Sequence, residues 1–154
     1  MSEERAIADL RAQGYGDRVI HLEVSTATVD LAAQALGVGP EKIAKSLTFK
    51  DPQGAPILIV MAGDRRLDNR KFKDHFHFKA KMLSLDEVGE KIGHEVGGVC
   101  PFGIQEGVRV YCDQSLRAYD WVYPACGSDL VVAKFRPEEL YSLSRAQAWV
   151  DLTK

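Results

Sequence analysis

The alternation of apolar and polar residues divides the chain into short helices and strands. Apolar residues recur at helical spacing in residues 2–12, where Ile7 and Leu10 share one side, and in residues 29–36. Alternating or continuous apolar runs predict strands at residues 19–24, 43–49, 57–61, 108–112, 121–125, 130–135 and 148–152. The run at 57–61 is apolar on both faces, so we expect it in the middle of a covered sheet.

Turn and capping residues mark where these elements begin and end. The turn Asp51-Pro52-Gln53-Gly54 predicts a hairpin between the second and third strands. Thr26 or Thr28 can cap the helix at 29–36, and further helices are signalled by capping or initiating residues at Asp68 or Asn69, Ser84 and Pro137. Together these elements predict one α+β domain over residues 1–154, with a mixed, largely antiparallel sheet surrounded by helices.

Composition mainly excludes other classes of protein. The chain has 154 residues, 45% hydrophobic and 27% charged, which is ordinary for a soluble domain with its own core. No apolar run approaches the roughly 20 residues needed to cross a bilayer, and the acidic N-terminus does not look like a secretory signal. Three cysteines without a Cys-x-x-Cys pair favour a reducing compartment. We therefore expect a cytoplasmic protein with no membrane contact, disulfide framework or zinc site.

Lys45 interrupts the apolar face of a predicted strand. In a strand, Ile43, Leu47 and Phe49 point to one side, and Lys45 points there with them. A buried ammonium needs a partner or loses its proton, so such a position is costly. One interpretation is a lysine that reaches water from the strand end. The other is a lysine that lines a pocket for an anionic or carbonyl group.

A glycine-rich segment, Gly97-Gly98-Val99-Cys100-Pro101-Phe102-Gly103, is the second candidate for chemistry. Consecutive glycines allow main-chain N–H groups to approach a ligand, and such a loop can form an oxyanion hole. The alternative is a tight structural turn. Cys100 could also act as a nucleophile with His94 as its base, but no residue at a recognisable position orients the histidine, and cysteines are commonly core residues.

Basic residues concentrate in one segment, although the whole chain has a formal net charge of −2. Between Asp64 and Lys81 there are seven basic and three acidic residues. A basic patch beside a pocket can hold a phosphate backbone. The alternative is a solvated helix face.

Four segments, taken in order, resemble the YbaK/ProX-type (YbaK/EbsC) family of trans-editing aminoacyl-tRNA deacylases, which is related to the insertion domain of bacterial prolyl-tRNA synthetases. The segments are Ala32-Ala33-Gln34-Ala35-Leu36-Gly37-Val38, Ile43-Ala44-Lys45-Ser46-Leu47-Thr48-Phe49, Ala62-Gly63-Asp64-Arg65-Arg66-Leu67-Asp68 and Gly97-Gly98-Val99-Cys100-Pro101-Phe102-Gly103. The resemblance covers about Val19 to Leu152 and implies the barrel-like sheet of the prolyl-tRNA-synthetase-associated domain.

The resemblance implies hydrolysis, without a metal or other cofactor, of the ester that joins a wrong amino acid to tRNA, chiefly tRNA for proline. Prolyl-tRNA synthetase is an implied partner. By resemblance the catalytic residues are Lys45, Gly97, Gly98, Val99 and Pro101, and the substrate-binding residues are Ser46, Asp64, Cys100, Ala125, Gly127 and Ser128. We expect the tRNA itself to contact Arg65, Arg66, Arg70, Lys71 and Lys73.

The amino acid that is removed stays open at this point. The cysteine-specific branch of the family usually has Ser-Pro where this chain has Cys100-Pro101. Alanine, cysteine, serine and threonine therefore remain candidates, and a small pocket separates neighbours by only about 1–3 kcal/mol per methylene. The alternative function is a non-catalytic module that binds tRNA or a synthetase and retains the pocket. A third hypothesis is a cysteine-dependent hydrolase built on Cys100.

Overall fold

The structure, a computed structural model, describes residues 2–154. Its helices lie where the sequence predicts them: α1 spans Ser2–Ala12, α2 Val29–Leu36, α3 Asn69–Phe76, α4 Leu85–Glu87 and α5 Pro137–Leu143. A π-helical turn, Val88–Ile92, continues α4, and single 3₁₀ turns occupy Gly16–Arg18, Pro40–Lys42 and Gln114–Ala118. Residues 93–108 contain no helix or strand, as their five glycines and one proline indicate.

The predicted capping residues form the helix ends. Of the two candidates at α2, Thr28 is the N-cap, and its Oγ1 accepts a hydrogen bond from the Leu31 amide at 3.1 Å. Gly37 ends this helix with a left-handed φ of 69°. Asp68 caps α3, and Ser84 forms the predicted capping box at the start of α4.

The strands are β1 Val19–His21, β2 Ile43–Lys50, β3 Pro56–Ala62, β4 Arg109–Asp113, β5 Tyr123–Ser128, β6 Val131–Ala133 and β7 Trp149–Val150. Within residues 2–154 they form one sheet in the order β1-β6-β5-β2-β3-β4-β7, with β1 and β7 as its open edges. The predicted α+β fold with a mixed sheet and surrounding helices is therefore confirmed.

The sheet is mixed, and most of its paired residues are antiparallel, as predicted. The pairs β1–β6, β6–β5 and β2–β3 are antiparallel, whereas β5–β2, β3–β4 and β4–β7 are parallel. Turn residues in a sequence identify antiparallel neighbours, because only these can be joined by a tight turn. The parallel partners are far apart along the chain, and their pairing leaves no comparable local signal.

The strand predicted at residues 19–24 is shorter than expected. It ends at His21, and the following residues cross to the turn between β5 and β6. There the Leu22 amide donates to the Leu130 carbonyl at 2.8 Å, and the Thr26 amide donates to the Asp129 carbonyl at 2.7 Å. These contacts take the chain out of the sheet before α2 begins.

Strand β3 lies in the centre of the sheet, as its continuous apolar run predicts. All residues from Ile57 to Ala62 are buried. Alternate β3 side chains face the larger core, which contains Phe102, and a second core, which contains Phe72 of α3. Lys45 of β2 pairs with Met61 on the face of the second core, so the prediction that this lysine shares an apolar face is confirmed.

Candidate active site

A cavity of about 230 Å³ opens where β2 and β5 separate. The two strands pair only through Ile43 with Tyr123 and Ala44 with Pro124, and a proline has no N–H with which to continue a ladder. The sheet is therefore split beyond these residues. The lining residues are Thr26, Ala27, Thr28, Val29, Ala32, Ile43, Ala44, Lys45, Ser46, Val96, Gly97, Val99, Tyr123, Ala125 and Val132.

Main-chain carbonyl groups of the loop after β3 hold the ammonium of Lys45. Its Nζ donates to the Gly63 carbonyl at 3.2 Å and also to the Arg65 carbonyl. A lysine ammonium has three N–H donors, so these two contacts leave one donor for a molecule in the cavity. Gly63 is itself fixed in place, since a Cβ there would lie 2.3 Å from the Pro40 carbonyl oxygen.

Partial burial lowers the pKa of Lys45, because desolvation disfavours its charged form. The carboxylate of Asp64 acts in the opposite direction, and the guanidinium of Arg66 adds to the lowering. An ammonium that water solvates incompletely interacts more strongly with a carbonyl oxygen or an anion than an exposed one does. Lys45 is therefore suited to electrostatic stabilisation at the cavity wall.

The glycine-rich loop packs directly against the end of β5. A Cβ on Gly98 would lie 2.3 Å from the Ser128 nitrogen and 2.4 Å from the Gly127 carbonyl carbon. The Gly127 amide also donates to the Gly98 carbonyl at 3.0 Å. Gly98 is therefore required by a backbone-to-backbone contact, whereas Gly97 is favoured by its left-handed φ of 95°.

Two amides of this loop remain available at the cavity. The Gly98 amide is already used, because it donates to the Glu95 carbonyl at 3.0 Å. Gly97 and Val99 both line the cavity, and their amides have no hydrogen-bond acceptor among residues 2–154. Unpaired N–H groups beside a cavity can stabilise a developing oxyanion. Among the loop residues predicted to be catalytic, Gly97 and Val99 are thus the ones that line the cavity and whose amides have no acceptor within residues 2–154.

Ser46 follows Lys45 and also lines the cavity. Its Oγ is buried and has no hydrogen-bond partner within residues 2–154. A buried hydroxyl group without a partner lowers stability, so it is expected where a ligand completes the contact. This geometry supports the substrate-binding role predicted for Ser46.

Cys100 lies in the larger core, behind the loop. Its side chain is fully buried, with Sγ 3.4 Å from His94 Nε2 and 3.6 Å from the Phe102 carbonyl oxygen. Burial raises the pKa of the Cys100 thiol well above its usual value, because a thiolate there would be desolvated. His94 is equally buried, and its Nδ1 lies 2.6 Å from the Ser2 hydroxyl. The predicted contact of Cys100 with substrate is therefore absent, and a nucleophilic role has no route to solvent.

Four other predicted site residues lie beside the cavity without lining it. Pro101 is buried and faces a separate cavity of about 500 Å³ on the far side of the loop. The backbone of Gly127 and Ser128 packs closely against Gly98. Asp64 is exposed on the loop that holds Lys45. Their places indicate supporting roles, because each contacts or neighbours a residue of the cavity wall.

The basic residues predicted to contact tRNA occupy two places. Arg65 and Arg66 are exposed on the loop that holds Lys45, and Arg70 and Lys73 are exposed on α3. Lys71 is already engaged, because its Nζ lies 3.0 Å from a carboxylate oxygen of Asp151 and 2.8 Å from the carbonyl oxygen of Thr153. The exposed members remain candidates for backbone contact.

Sequence reasoning missed the outer wall of the cavity, residues 26–29. Thr26 donates from both its amide and its hydroxyl group to the Asp129 carbonyl, at 2.7 and 2.8 Å. These bonds join the segment before α2 to the turn after β5. Only the capping signal at Thr28 marks this region in the sequence, and capping says nothing about a cavity.

Two further classes of feature are absent from the described part of the chain. Residues 2–154 contain no group of three His, Cys, Asp or Glu side chains that could hold a metal ion. No helix within the same residues is long and apolar enough to cross a membrane.

The cavity combines an apolar lining with a few polar groups at its wall. The cavity is mainly apolar, with an ammonium and free amides at its walls, and such groups bind a carbonyl oxygen better as it gains negative charge. The family model of the aminoacyl-tRNA editing domain matches residues 23–143. The chain therefore belongs to the aminoacyl-tRNA editing domain family, and within it to the YbaK type.

The relatives agree with this membership. The chain is 47% identical to the uncharacterized protein YwhH of Bacillus subtilis over 136 residues, 88% of this chain and 87% of that protein. It is 25% identical over 121 residues to EbsC of Enterococcus faecalis, a candidate Cys-tRNA(Pro)/Cys-tRNA(Cys) deacylase, with 78% of this chain and 74% of that protein covered. The crystal structure of a candidate trans-editing enzyme for prolyl-tRNA synthetase superposes with a TM-score of 0.89 at 33% identity, covering 99% of this chain and 97% of that one.

Proposed function

We propose that the protein is a trans-editing deacylase, which hydrolyses the ester of a tRNA carrying a wrong small amino acid. The names of the relatives favour tRNA for proline as the acceptor. The observation that carries the proposal is that the ammonium of Lys45 and the available amides of Gly97 and Val99 line one cavity. Each of these groups is a donor suited to the carbonyl oxygen or the terminal nucleotide of such a substrate.

The proposed reaction is metal-independent hydrolysis of an activated ester. A water oxygen attacks the ester carbonyl carbon, the bond from this carbon to the ribose oxygen breaks, and the ribose oxygen takes a proton. The amides of Gly97 and Val99 donate to the carbonyl oxygen while it carries negative charge. Lys45 remains protonated and holds the carbonyl oxygen or a terminal phosphate. The neighbouring ribose hydroxyl can position the water, so no side-chain nucleophile is required.

The lining of the cavity favours a small, mainly apolar amino acid. Most of the side chains are aliphatic: Val29, Ala32, Ile43, Ala44, Val96, Val99, Ala125 and Val132. Thr26, Thr28 and Ser46 add hydroxyl groups, and Lys45 supplies the charge. The aliphatic lining suits alanine and cysteine, and the unpaired hydroxyl of Ser46 offers a partner to the hydroxyl of serine or threonine.

The proposed substrate places the protein after prolyl-tRNA synthetase in the cytoplasm. A freestanding editing domain acts on aminoacyl-tRNA that has left the synthetase, or while the two proteins are in contact. Both routes use the same cavity.

A panel of mischarged tRNAs tests the proposed function. The protein is incubated with tRNA for proline that carries alanine, cysteine, serine, threonine or proline, and the remaining ester is measured over time. We expect rapid loss of one or two small amino acids and no loss of proline. A binding module would protect the ester from spontaneous hydrolysis instead, so slower loss with every substrate would contradict the proposal.

A further inference from the structure

Three aromatic side chains alternate along one surface segment next to the cavity. Tyr119, Trp121 and Tyr123 are all partly exposed, whereas Val122 is fully buried and pairs with Phe135. Trp121 and Tyr123 flank Val122 in extended backbone, where residues two apart point to the same side and lie roughly 6–7 Å apart. Tyr119 lies in the bend before them and lines the same groove, so the three rings form a row on the surface.

This row leads into the candidate active site. Tyr119, Trp121 and Tyr123 line a groove of about 320 Å³ together with Lys42, Ala118 and Asp120. Tyr123 also lines the cavity that contains Lys45, so the groove and the cavity share a wall.

Cations surround the central ring of the row. Lys134 Nζ lies 4.7 Å from the centre of the Trp121 ring, Arg136 Cζ 4.5 Å and Arg18 Cζ 5.7 Å. The guanidinium of Arg18 is neutralised by Glu139, at 2.9 Å. Lys134 and Arg136 make no ion pair with a carboxylate of residues 2–154, although the Glu139 carboxylate lies close enough to Arg136 for their charges to interact.

We propose that this row, which we call the aromatic row, binds the unpaired 3′-terminal nucleotides of the RNA whose ester lies in the cavity. Exposed rings stack on bases regardless of sequence, and cations beside them neutralise the phosphates, which is how proteins hold single-stranded RNA. A base replaces the cations on the Trp121 ring, while Lys134 and Arg136 move to the flanking phosphates. The inference rests on the proposed function, because it assigns the strand that leads to the ester.

The basic face of α3 does not offer the same chemistry. Its exposed residues Arg70 and Lys73 flank Phe72, which is buried in the second core. The exposed His75 ring packs edge-on against Phe76, which also packs against the second core. A basic surface without stacking rings fits the phosphates of a duplex. The aromatic row fits a single strand, which makes it the better site for the unpaired end. Asp120 is the one acidic side chain in the groove and opposes this binding.

Tryptophan fluorescence tests the aromatic row without requiring catalysis. The chain has two tryptophans, so Trp149→Phe leaves Trp121 as the sole reporter and Trp121→Phe leaves Trp149. Trp149 is a matched control: it lies on β7 at the far edge of the sheet, also with an arginine Cζ 4.5 Å from its ring centre. The probe is an uncharged RNA hairpin with a four-nucleotide single-stranded 3′ end, compared with the same hairpin made blunt.

We expect the tailed hairpin to quench Trp121 and not Trp149, and the blunt hairpin to quench neither. Trp121→Ala should weaken binding of the tailed hairpin roughly 5- to 150-fold, the effect of removing one base–aromatic stack. Equal quenching by both hairpins, or none, would overturn the inference. If the tRNA panel shows no hydrolysis but Trp121 is still quenched by the tail, the deacylase proposal fails and the RNA-binding row stands.

Discussion

The ammonium of Lys45, in β2, donates a hydrogen bond to the carbonyl oxygen of Gly63, the first residue after β3, at 3.2 Å. This hydrogen bond and the one to the Arg65 carbonyl hold the Lys45 ammonium at the cavity wall and leave one of its three N–H groups without an acceptor. Main-chain oxygens thus supply the hydrogen-bond partners of a lysine that lies on an apolar strand face. Its side chain can be changed without disturbing a salt bridge, which makes it a clean target for mutation.

Replacement of Lys45 should abolish activity and leave the fold intact. We expect Lys45→Ala or Lys45→Met to lower kcat/KM for a mischarged tRNA roughly 100- to 1,000-fold, because the charge next to the reacting ester is lost. Tm should change little, since removing a partly desolvated charge also removes its desolvation cost. Deacylation rates and thermal melts of the same samples provide the measurement. Wild-type activity in Lys45→Met would contradict a catalytic role.

The pH dependence of the rate should distinguish a charged Lys45 from a neutral one. Its pKa is lowered by burial, so its charge is present at low pH and is lost as pH rises through a value below that of a free lysine. If the ammonium acts, the enzymatic rate falls on the alkaline side after spontaneous hydrolysis is subtracted. A rate that rises through the same range would instead indicate a neutral amine that acts as a base. Any activity left in Lys45→Arg should lack the alkaline fall, because guanidinium stays protonated.

Gly98 and Gly89 form a matched pair for the loop contact. A Cβ at position 98 would overlap the main chain of residues 127 and 128, so Gly98→Ala should lower the free energy of unfolding by roughly 2–4 kcal/mol. A Cβ at position 89 meets no atom within 4 Å, so Gly89→Ala should change stability by less than about 1 kcal/mol. Urea denaturation measures both, and similar values for the two variants would show that the contact is unimportant.

Ser46→Ala separates substrate binding from stability. Removing a buried hydroxyl group that has no partner should leave the free energy of unfolding unchanged or raise it. If the hydroxyl group binds substrate, KM should rise roughly 2- to 10-fold, the effect of one hydrogen bond. Steady-state kinetics and thermal melts on one preparation give both values. An unchanged KM would assign Ser46 to the wall alone.

Cys100→Ala should keep its rate within about twofold of the wild type once folding is confirmed. The thiol is fully buried and its pKa is raised, so it cannot attack a substrate in the cavity. Burial also raises the pKa of Cys112 and of Cys126 to about 12. Alkylation of the native protein should therefore be slow at all three cysteines and fast after denaturation. Loss of activity in a folded Cys100→Ala variant would restore the cysteine-dependent mechanism.

Most of the fold follows from local patterns in the sequence. The caps at Thr28, Asp68 and Ser84 and the turn at 51–54 fix helix starts and one hairpin, because these signals depend on a few neighbouring residues. The central place of β3 follows from its continuous apolar run. The parallel pairs do not follow, since they join residues far apart along the chain.

The sequence indicated the candidate site through one residue, Lys45, whose charge conflicts with the apolar pattern of its strand. Lys45 stood out because a charge on an apolar face needs an explanation, and family resemblance then added the glycine-rich loop. Cys100 was a weaker candidate nucleophile in the sequence, and its burial depends on packing against His94 and Phe102, which no local pattern reveals. Tyr123 and the segment at Thr26 belong to the cavity only through the sheet's topology, which no local pattern contains.

β2 and β5 separate after Ala44 and Pro124, and this split gives the position and the size of the cavity to different parts of the chain. In many enzymes the same side chains determine both. The main chain sets the position of the opening, and with it the place of Lys45 and of the loop amides. Side chains such as Ala125 and Val132 then set how much room is left inside. A change from one amino acid to another can therefore arise by exchange of these lining residues, while Lys45 and the loop amides, which we propose act on the ester, stay where they are. The architecture allows the proposed specificity to evolve without rebuilding the proposed catalytic groups.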